Sequence, residues 1–232
     1  MECLTRKATL LRTVPQRRKT STVTRARLLH AAEQCFADHG YNGVSLRQIT
    51  RRAGVNLAAV NYHFSSKREL WLEVMRQRTE LLSAGRLQML AQVKAATPAG
   101  QPVPVEQLCE AFLLPIARVL CTGRGSNVVL AKIIARAFTD PRPLRDEHRR
   151  RNLDHVLGRF REELGASLPG LPADELDWKI YFLVSAMMGA VAREGRQAGL
   201  KKPLDTSDLE ALMQRLVKFV SGGLQAGLPT PA

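Results

Sequence analysis

Three consecutive hydrogen-bonding side chains, Asn61, Tyr62 and His63, stand near the end of the stretch GVNLAAVNYHF, which contains no Asp, Glu, Lys or Arg. An amide, a phenol and an imidazole can donate and accept hydrogen bonds without a permanent charge. Side chains of this kind suit the edges of nucleic-acid bases, where the pattern of donors and acceptors carries the sequence information. The stretch therefore has the chemistry of a reading surface rather than of a catalytic centre.

This neutral stretch lies inside a strongly basic chain. The 232 residues include 35 Lys and Arg against 21 Asp and Glu, a formal charge of +14. Residues 1–76 alone hold 14 Lys and Arg against 5 Asp and Glu. A positive field of this size concentrates polyanions, nucleic acid or anionic lipid, near the surface. The partner is therefore expected at the N-terminal part of the chain.

The elements that must position the neutral stretch are short helices. The pattern predicts them over residues 25–39, 46–53 and 56–63. Thr24 is a candidate N-cap of the first helix and Ser45 of the second, and Gly54 supplies the backbone freedom that a tight turn needs. Two brief helices joined by such a turn form a helix-turn-helix. Val60 and Phe64, four residues apart, are expected in its core.

The predicted DNA site combines a small, neutral helix face with cations on either side. Alanine and leucine can meet thymine methyl groups, Asn61 can pair with a base edge, and flanking cations can contact phosphates. The predicted contacts are Ser45, Arg47, Leu57, Ala58, Ala59, Asn61, Tyr62, His63 and Lys67. The alternative interpretation makes residues 56–64 a buried connecting helix.

The rest of the chain also reads as helical. A long helix is predicted from Ser66 to about residue 96, and further helices over 105–121, 126–138, 144–165, 174–198 and 206–226. No strand pattern of useful length is present, so the predicted fold class is all-α. The predicted organisation is a flexible basic arm (1–23), a three-helix helix-turn-helix DNA-binding domain (24–70) and a helical bundle for ligand binding and dimerisation (71–232).

The bundle offers an apolar interior that could hold a small hydrophobic effector. The candidate lining residues are Phe112, Ile116, Ile133, Phe138, Phe160, Phe182 and Met187. Residues of this kind are more often plain core than pocket lining. Arg118, Lys132 and Arg136 could hold an acidic head group or lie on a solvated face.

A homodimer is expected because a single helix-turn-helix reads few base pairs, and two-fold related copies would bind a palindromic double-stranded DNA operator. Small residues in 174–192 and the apolar stripe of 206–226 could form the dimer surface. The alternative is that both stripes belong to the core of one chain.

Several other classes of function are disfavoured. Nucleophile-elbow, phosphate-loop and HExxH motifs are absent, so no enzyme, catalytic residue or cofactor is predicted. The four cysteines fit no metal-site spacing, and no metal site is predicted. The chain starts without an apolar leader, and its longest apolar segment, 13 residues between Lys179 and Arg193, is too short to span a membrane. We therefore expect a cytoplasmic protein with no membrane partner.

Residues 24–71 contain the motifs F-x-x-x-G-Y, V-S-L-R-Q-I, A-G-V-N, Y-H-F and S-K-R-E-L in this order. With these motifs the segment resembles the DNA-binding domain of TetR-type transcriptional regulators. Asn61 stands where many members have Tyr. The resemblance implies that Arg47 and the third helix contact bases, that Lys67 contacts a phosphate, and that the last two helices of each subunit form a four-helix dimer interface.

The C-terminal part is similar to a subgroup that includes fatty-acid or acyl-CoA responsive repressors. Together, these observations predict a ligand-responsive transcriptional regulator, a repressor in the first instance, that binds DNA as a dimer and is released by a hydrophobic effector. A sequence-independent DNA-coating protein is the alternative. The two differ in the ratio of specific to non-specific affinity.

Overall fold

The computed structural model describes residues 16–121, 129, 132–133, 140–192 and 208–227. Within these ranges the chain forms nine α-helices and no strand, which confirms the all-α prediction. The helices are α1 (Gln16–His39), α2 (Leu46–Ala53), α3 (Leu57–Phe64), α4 (Lys67–Ala96), α5 (Val105–Cys121), α6 (Arg142–Asn152), α7 (Asp154–Ser167), α8 (Ala173–Ala192) and α9 (Leu209–Gln225).

The first helix is longer than its sequence signals indicated. It begins at Gln16 rather than at residue 25, so residues 16–23 of the predicted flexible arm are helical. Gln, Arg and Lys have good helix propensity, and their run continues the helix through Thr24 instead of letting Thr24 cap it. The other end was predicted correctly, because Gly40 follows the last turn with a positive φ of 69°.

The N-terminal helices and the first half of α4 enclose one hydrophobic core. Val60 and Phe64 are buried there, as predicted, and Trp71 at the start of α4 is almost completely enclosed. Asp140 joins this unit from far along the chain, because its carboxylate accepts hydrogen bonds from Trp71 Nε1 at 3.0 Å and from the Tyr41 backbone N–H at 2.9 Å. We call this unit, formed by α1, α2, α3 and the first half of α4, the head. The head is therefore hydrogen-bonded to the segment that precedes α6.

A second core lies between the later half of α4 and helices α5, α7, α8 and α9. Where α4 and α5 come close, a Cβ built on Gly85 would stand 3.4 Å from the Pro115 side chain. The single helix α4 therefore takes part in both cores. Because α4 is one continuous helix, a movement of its later half can be transmitted directly to the head.

Residues 144–165, predicted as one helix, form two. Helix α6 ends at Asn152 and α7 begins at Asp154, with Leu153 between them at φ −120° and ψ −31°. The Asn152 side chain turns back to donate to the His148 carbonyl at 3.1 Å, and Arg149 bonds the Asp154 carboxylate at 2.7 Å. These side-chain bonds compete with regular helix at that position, and neither glycine nor proline marked it.

Part of the prediction falls on residues outside the described ranges. Only positions 129, 132 and 133 of the predicted helix 126–138 are described, and the end of the predicted helix 174–198 lies beyond Ala192. No helix in the described ranges is both long enough and apolar enough to cross a bilayer.

Replacing Gly54 with alanine is expected to destabilise the protein by about 1–2 kcal/mol, because Gly54 has φ +63° and an added Cβ makes this left-handed conformation costly. Urea unfolding would measure the change. The matched control is Gly158 in α7, where a Cβ meets nothing within 4 Å and alanine is expected to stabilise the helix by up to about 1 kcal/mol. Equal effects at the two sites would contradict the assigned role of the turn.

Candidate nucleic-acid interface and bundle interior

Side-chain caps fix the starts of both α2 and α3. Ser45 and Gln48 cap α2 reciprocally: the Ser45 N–H donates to Gln48 Oε1 at 2.7 Å, and the Gln48 N–H donates to Ser45 Oγ at 3.3 Å. Asn56 caps α3 by accepting from the Ala59 N–H at 3.0 Å. With Gly54 in the left-handed conformation between them, the two short helices form the predicted helix-turn-helix.

The outward face of α3 is uncharged and open to solvent. Tyr62 is 78% exposed and Leu57 is 42% exposed, and Ala58 and Asn61 are also exposed. Ala59 and His63 are half-buried, so fewer residues of α3 are fully exposed than the predicted contact set contains. His63 packs its ring against the edge of Tyr62, with 4.8 Å between the ring centroids. The alternative of a buried connecting helix does not fit these exposures.

Cations surround this face, but they differ in how freely they can reach a partner. Arg47 and Arg51 are exposed on α2. Arg52 donates from Nε to Gln34 at 2.9 Å. Arg68 is held by Glu69 at 3.1 Å and by Glu147. The two residues on α2 are therefore best placed for an outside anion.

Lys67 is more enclosed than its predicted phosphate role requires. Its Nζ lies 4.2 Å from the centre of the Tyr41 ring, and burial lowers the pKa of its ammonium group. Such a cation–π contact fixes the start of α4 against the end of α1. Ser45, the remaining predicted contact, is exposed while its side chain caps α2.

Two arginines of α1 make contacts near the reading helix that the sequence did not indicate. Arg25 lies over the Phe64 ring at 5.1 Å and bonds Glu73 at 2.6 Å. Bonds from Arg76 and Arg25 lower the pKa of Glu73 to about 2, so this carboxylate stays ionised. Arg27 lies across the turn, because a Cβ built on Gly54 would approach its Nη2 to 2.6 Å. Arg27 thus adds an exposed cation beside the reading helix.

Four of the seven predicted pocket residues share the core of the bundle. Phe112 and Phe160 meet edge to face with 5.1 Å between ring centroids, and Ile116 and Met187 are buried in the same cluster. The other three do not join them. Ile133 belongs to the core of the head, Phe182 is 60% exposed, and Phe138 lies outside the described residues.

The residue that sequence reasoning missed in the bundle is Arg86. It is only 4% exposed, and its Nε donates to the Phe112 carbonyl at 2.9 Å. The spacing could have indicated it, since Arg86 lies four residues from both Leu82 and Leu90 and therefore on the same buried face of α4.

Four aromatic side chains are exposed on the last two described helices. Trp178, Tyr181 and Phe182 form a cluster on α8 with 5.7–5.8 Å between ring centroids. Phe219 on α9 is 76% exposed. Lys179 joins the helices by donating from Nζ to the Gly223 carbonyl at 3.0 Å. We call the three clustered aromatic residues of α8 the aromatic patch.

Helix α6 connects the bundle with the head at the start of α4. Its Leu144 is buried in the head core, and its Glu147 pairs with both Arg68 and Arg151. The His148 ring meets the edge of Trp71 with 6.0 Å between centroids. The start of α4, immediately after the reading helix, is therefore bound to α6.

Two family models match the chain. Residues 28–74 match the model described as bacterial regulatory proteins of the tetR family, and residues 110–223 match the tetracyclin repressor-like C-terminal domain. The first match covers the helix-turn-helix and the first turns of α4. The second covers most of the described bundle.

Similar proteins carry related descriptions. The HTH-type transcriptional repressor AcnR of Corynebacterium diphtheriae is 26% identical over 191 residues, which are 79% of this chain and 89% of AcnR. The HTH-type transcriptional activator FasR of Mycolicibacterium smegmatis is 41% identical over 66 residues, covering 28% of this chain and 30% of FasR. In structure, a candidate fatty acid metabolism regulator from Clostridium perfringens matches with a TM-score of 0.55 at 17% identity, covering 85% of this chain and 97% of that one.

Proposed function

Because this chain belongs to the TetR family of bacterial regulatory proteins, we propose that it is a repressor that binds a palindromic operator as a dimer and leaves it when a small hydrophobic effector binds. It is a transcriptional regulator and not an enzyme. The observation that carries the proposal is the exposed, uncharged face of α3 with exposed cations beside it. Repression is favoured because the similarity to AcnR extends over most of both chains.

On DNA, the proposed roles follow from side-chain chemistry and exposure. Asn61 makes the base-specific hydrogen bonds, Leu57 and Ala58 contact thymine methyl groups, and Tyr62 reaches a base or a phosphate. Arg47 reaches from α2 to a base edge or to a backbone phosphate. The half-buried residues Ala59, His63 and Lys67 have smaller roles than the sequence implied.

The dimer is proposed to form through the aromatic patch. Large exposed apolar patches on a folded protein mark interaction surfaces. The small residues Ser185 and Gly189 continue the same face of α8 along the helix and allow a partner helix to approach. Within the predicted apolar stripe of 206–226, Leu209, Met213 and Val217 are buried in the core of their own chain. The interface is therefore assigned to the aromatic patch.

Replacing Phe182 with aspartate is expected to weaken dimerisation by roughly 30-fold or more, since truncating a central aromatic anchor costs about 2 kcal/mol and two-fold symmetry repeats the change. Sedimentation velocity over a concentration series would measure it. Val23→Asp is the matched control, because Val23 is equally exposed on α1, away from the patch. A Phe182→Asp protein that dimerises as the wild type would exclude the patch as the interface.

The proposed switch couples the bundle interior to the spacing of the two reading heads. Helix α7 carries Phe160 in the bundle core, and α6 just before it holds Arg68 at the start of α4 through Glu147. An effector that enlarges the space around Phe160 would shift α7 and α6 together. It releases DNA only if it binds the shifted arrangement more tightly than the DNA-bound one.

The proposal is tested by fluorescence anisotropy with DNA from upstream of the protein's own gene and a scrambled duplex, at about 150 mM salt. We expect a preference of roughly a thousandfold or more for the upstream DNA, which hydrophobic acids or acyl-CoA reduce. The neighbour described as a candidate fatty acid metabolism regulator motivates this ligand series. Equal binding to both duplexes would favour the sequence-independent coating protein.

A further inference from the structure

Arg86 carries a positive charge in the interior of the bundle without a negative partner nearby in the described part of the chain. Its Nε donates to the Phe112 carbonyl at 2.9 Å, and its Nη2 lies 3.0 Å from Met187 Sδ. Its Cζ stands 3.9 Å above the centre of the Phe112 ring. These contacts orient the guanidinium, but a carbonyl, a thioether and a ring supply no full negative charge.

Such an arrangement costs stability. A buried charge normally has an ionic partner or shifts its pKa to become neutral. Burial lowers the pKa of Arg86 to about 9, which still leaves the group charged at pH 7. A methionine or leucine would pack in the same place at lower cost, so the charge points to a use in binding rather than in folding.

A second unsatisfied polar group lies one turn away. Ser83 is 6% exposed, and its hydroxyl oxygen is buried with no hydrogen-bond partner among the described residues. Ser83 and Arg86 are three residues apart on α4, which places them on neighbouring positions of one helix face. A guanidinium and a hydroxyl together match the two oxygens of a carboxylate.

An apolar cleft lies farther along α4. It has a volume of about 580 Å³ and lies between α4 and α7, with Leu87, Leu90, Ala91 and Lys94 on its α4 wall and His155, Arg159 and Glu163 on its α7 wall. Leu87 and Leu90 follow Ser83 at four and seven residues, so they extend the same row of the helix. Leu90 is also part of the bundle core that contains Phe112 and Met187. The polar pair thus stands at one end of an apolar row.

We propose that the effector is a free hydrophobic carboxylic acid whose carboxylate binds Arg86 and Ser83 and whose hydrocarbon part lies along the cleft between α4 and α7. The assignment rests on the proposed function, in which an effector enters this bundle. A thioester such as acyl-CoA has no carboxylate at the end of its acyl chain and would leave the guanidinium unpaired. The structure therefore favours the free acid over its thioester.

The test is isothermal titration calorimetry of the full chain with octanoate, dodecanoate and hexadecanoate, with 1-dodecanol and dodecanoyl-CoA as comparisons. At least one acid is expected to bind, and Arg86→Met to weaken it by 30-fold or more while leaving 1-dodecanol affinity within threefold. Ser83→Ala is expected to weaken the acid by three- to tenfold. Arg161→Met, on α7 but not among the residues that line the cleft, is the matched control and is expected to change acid affinity by less than threefold.

Arg86→Met removes a buried charge that has no acidic partner among the described residues. Its melting temperature is therefore expected to equal or exceed that of the wild type, which shows that the variant is folded. Unchanged acid affinity in Arg86→Met, or binding of the thioester but of none of the acids, would overturn the assignment. If the protein binds its operator specifically and only the thioester releases it, the assignment of a free acid is overturned but the proposed function stands. Loss of operator preference would instead count against the proposed function.

Discussion

Asn61→Ala is expected to weaken binding to the specific operator by roughly 5- to 150-fold, about 1–3 kcal/mol, while binding to unrelated DNA stays unchanged. The amide of Asn61 is exposed on α3, and it can pair with a base edge through a donor and an acceptor on two separate atoms. The inward neighbours Val60 and Phe64 hold the helix and do not depend on the amide. The loss should therefore concern recognition and not folding.

Anisotropy titrations against the operator and a scrambled duplex, repeated over a range of salt concentrations, would separate the two roles. For Asn61→Ala the salt slope should be that of the wild type, because no phosphate contact is lost. Arg51→Gln is the matched comparison: it should weaken both duplexes alike and reduce the salt slope by about one. If Asn61→Ala lowers affinity for both duplexes equally, Asn61 does not read bases.

The sequence predicted the head well because its signals are local. Ser45, Gly54 and the spacing of Val60 and Phe64 each act within a few residues, and the structure has the expected caps, turn and core at these places. The predicted start of α1 was wrong because it also relied on a local signal. Thr24 can cap a helix only if the residues before it are not helical, and here they are helical. Local signals are reliable when they do not compete.

The bundle was harder to predict because its key features depend on distant residues. Helical spacing showed that Phe182 lies on an apolar face, but not whether that face meets the same chain or a second copy. The spacing of Arg86 with Leu82 and Leu90 indicates a buried position, but it does not indicate the contacts of Arg86 with Phe112 and Met187, 26 and 101 positions away. The enclosure of Lys67 by Tyr41 is a similar case. Such contacts follow from tertiary packing and not from a pattern in the sequence.

His148 at the junction of α6 with the head is expected to make the folded protein less stable by about 2–3 kcal/mol when the pH falls from 7 to about 4.5. Burial lowers the pKa of its imidazole from 6.5 to about 4. Its Nδ1 faces the Asn152 amide at 3.0 Å, and its Nε2 is buried without a partner among the described residues. The neutral ring fits this site, whereas a second proton would find no acceptor.

The direction follows from the two pKa values. Between pH 6.5 and 4 the unfolded chain binds a proton at His148 that the folded chain does not, so stability is complete above this window and is lost as the pH falls through it. Acidification also acts on other groups of the protein, so the wild-type profile alone does not isolate the histidine.

The comparison that isolates it is urea unfolding of the wild type and His148→Phe at pH 7 and about pH 4.5. The variant keeps a ring beside Trp71 but cannot bind a proton, so its loss of stability on acidification should be smaller by about 2–3 kcal/mol. His155→Phe, at an exposed position on α7, should retain the wild-type profile. Identical pH profiles for the wild type and His148→Phe would mean that the folded protein accommodates the charged ring, and that the contact between α6 and Trp71 does not depend on a neutral imidazole.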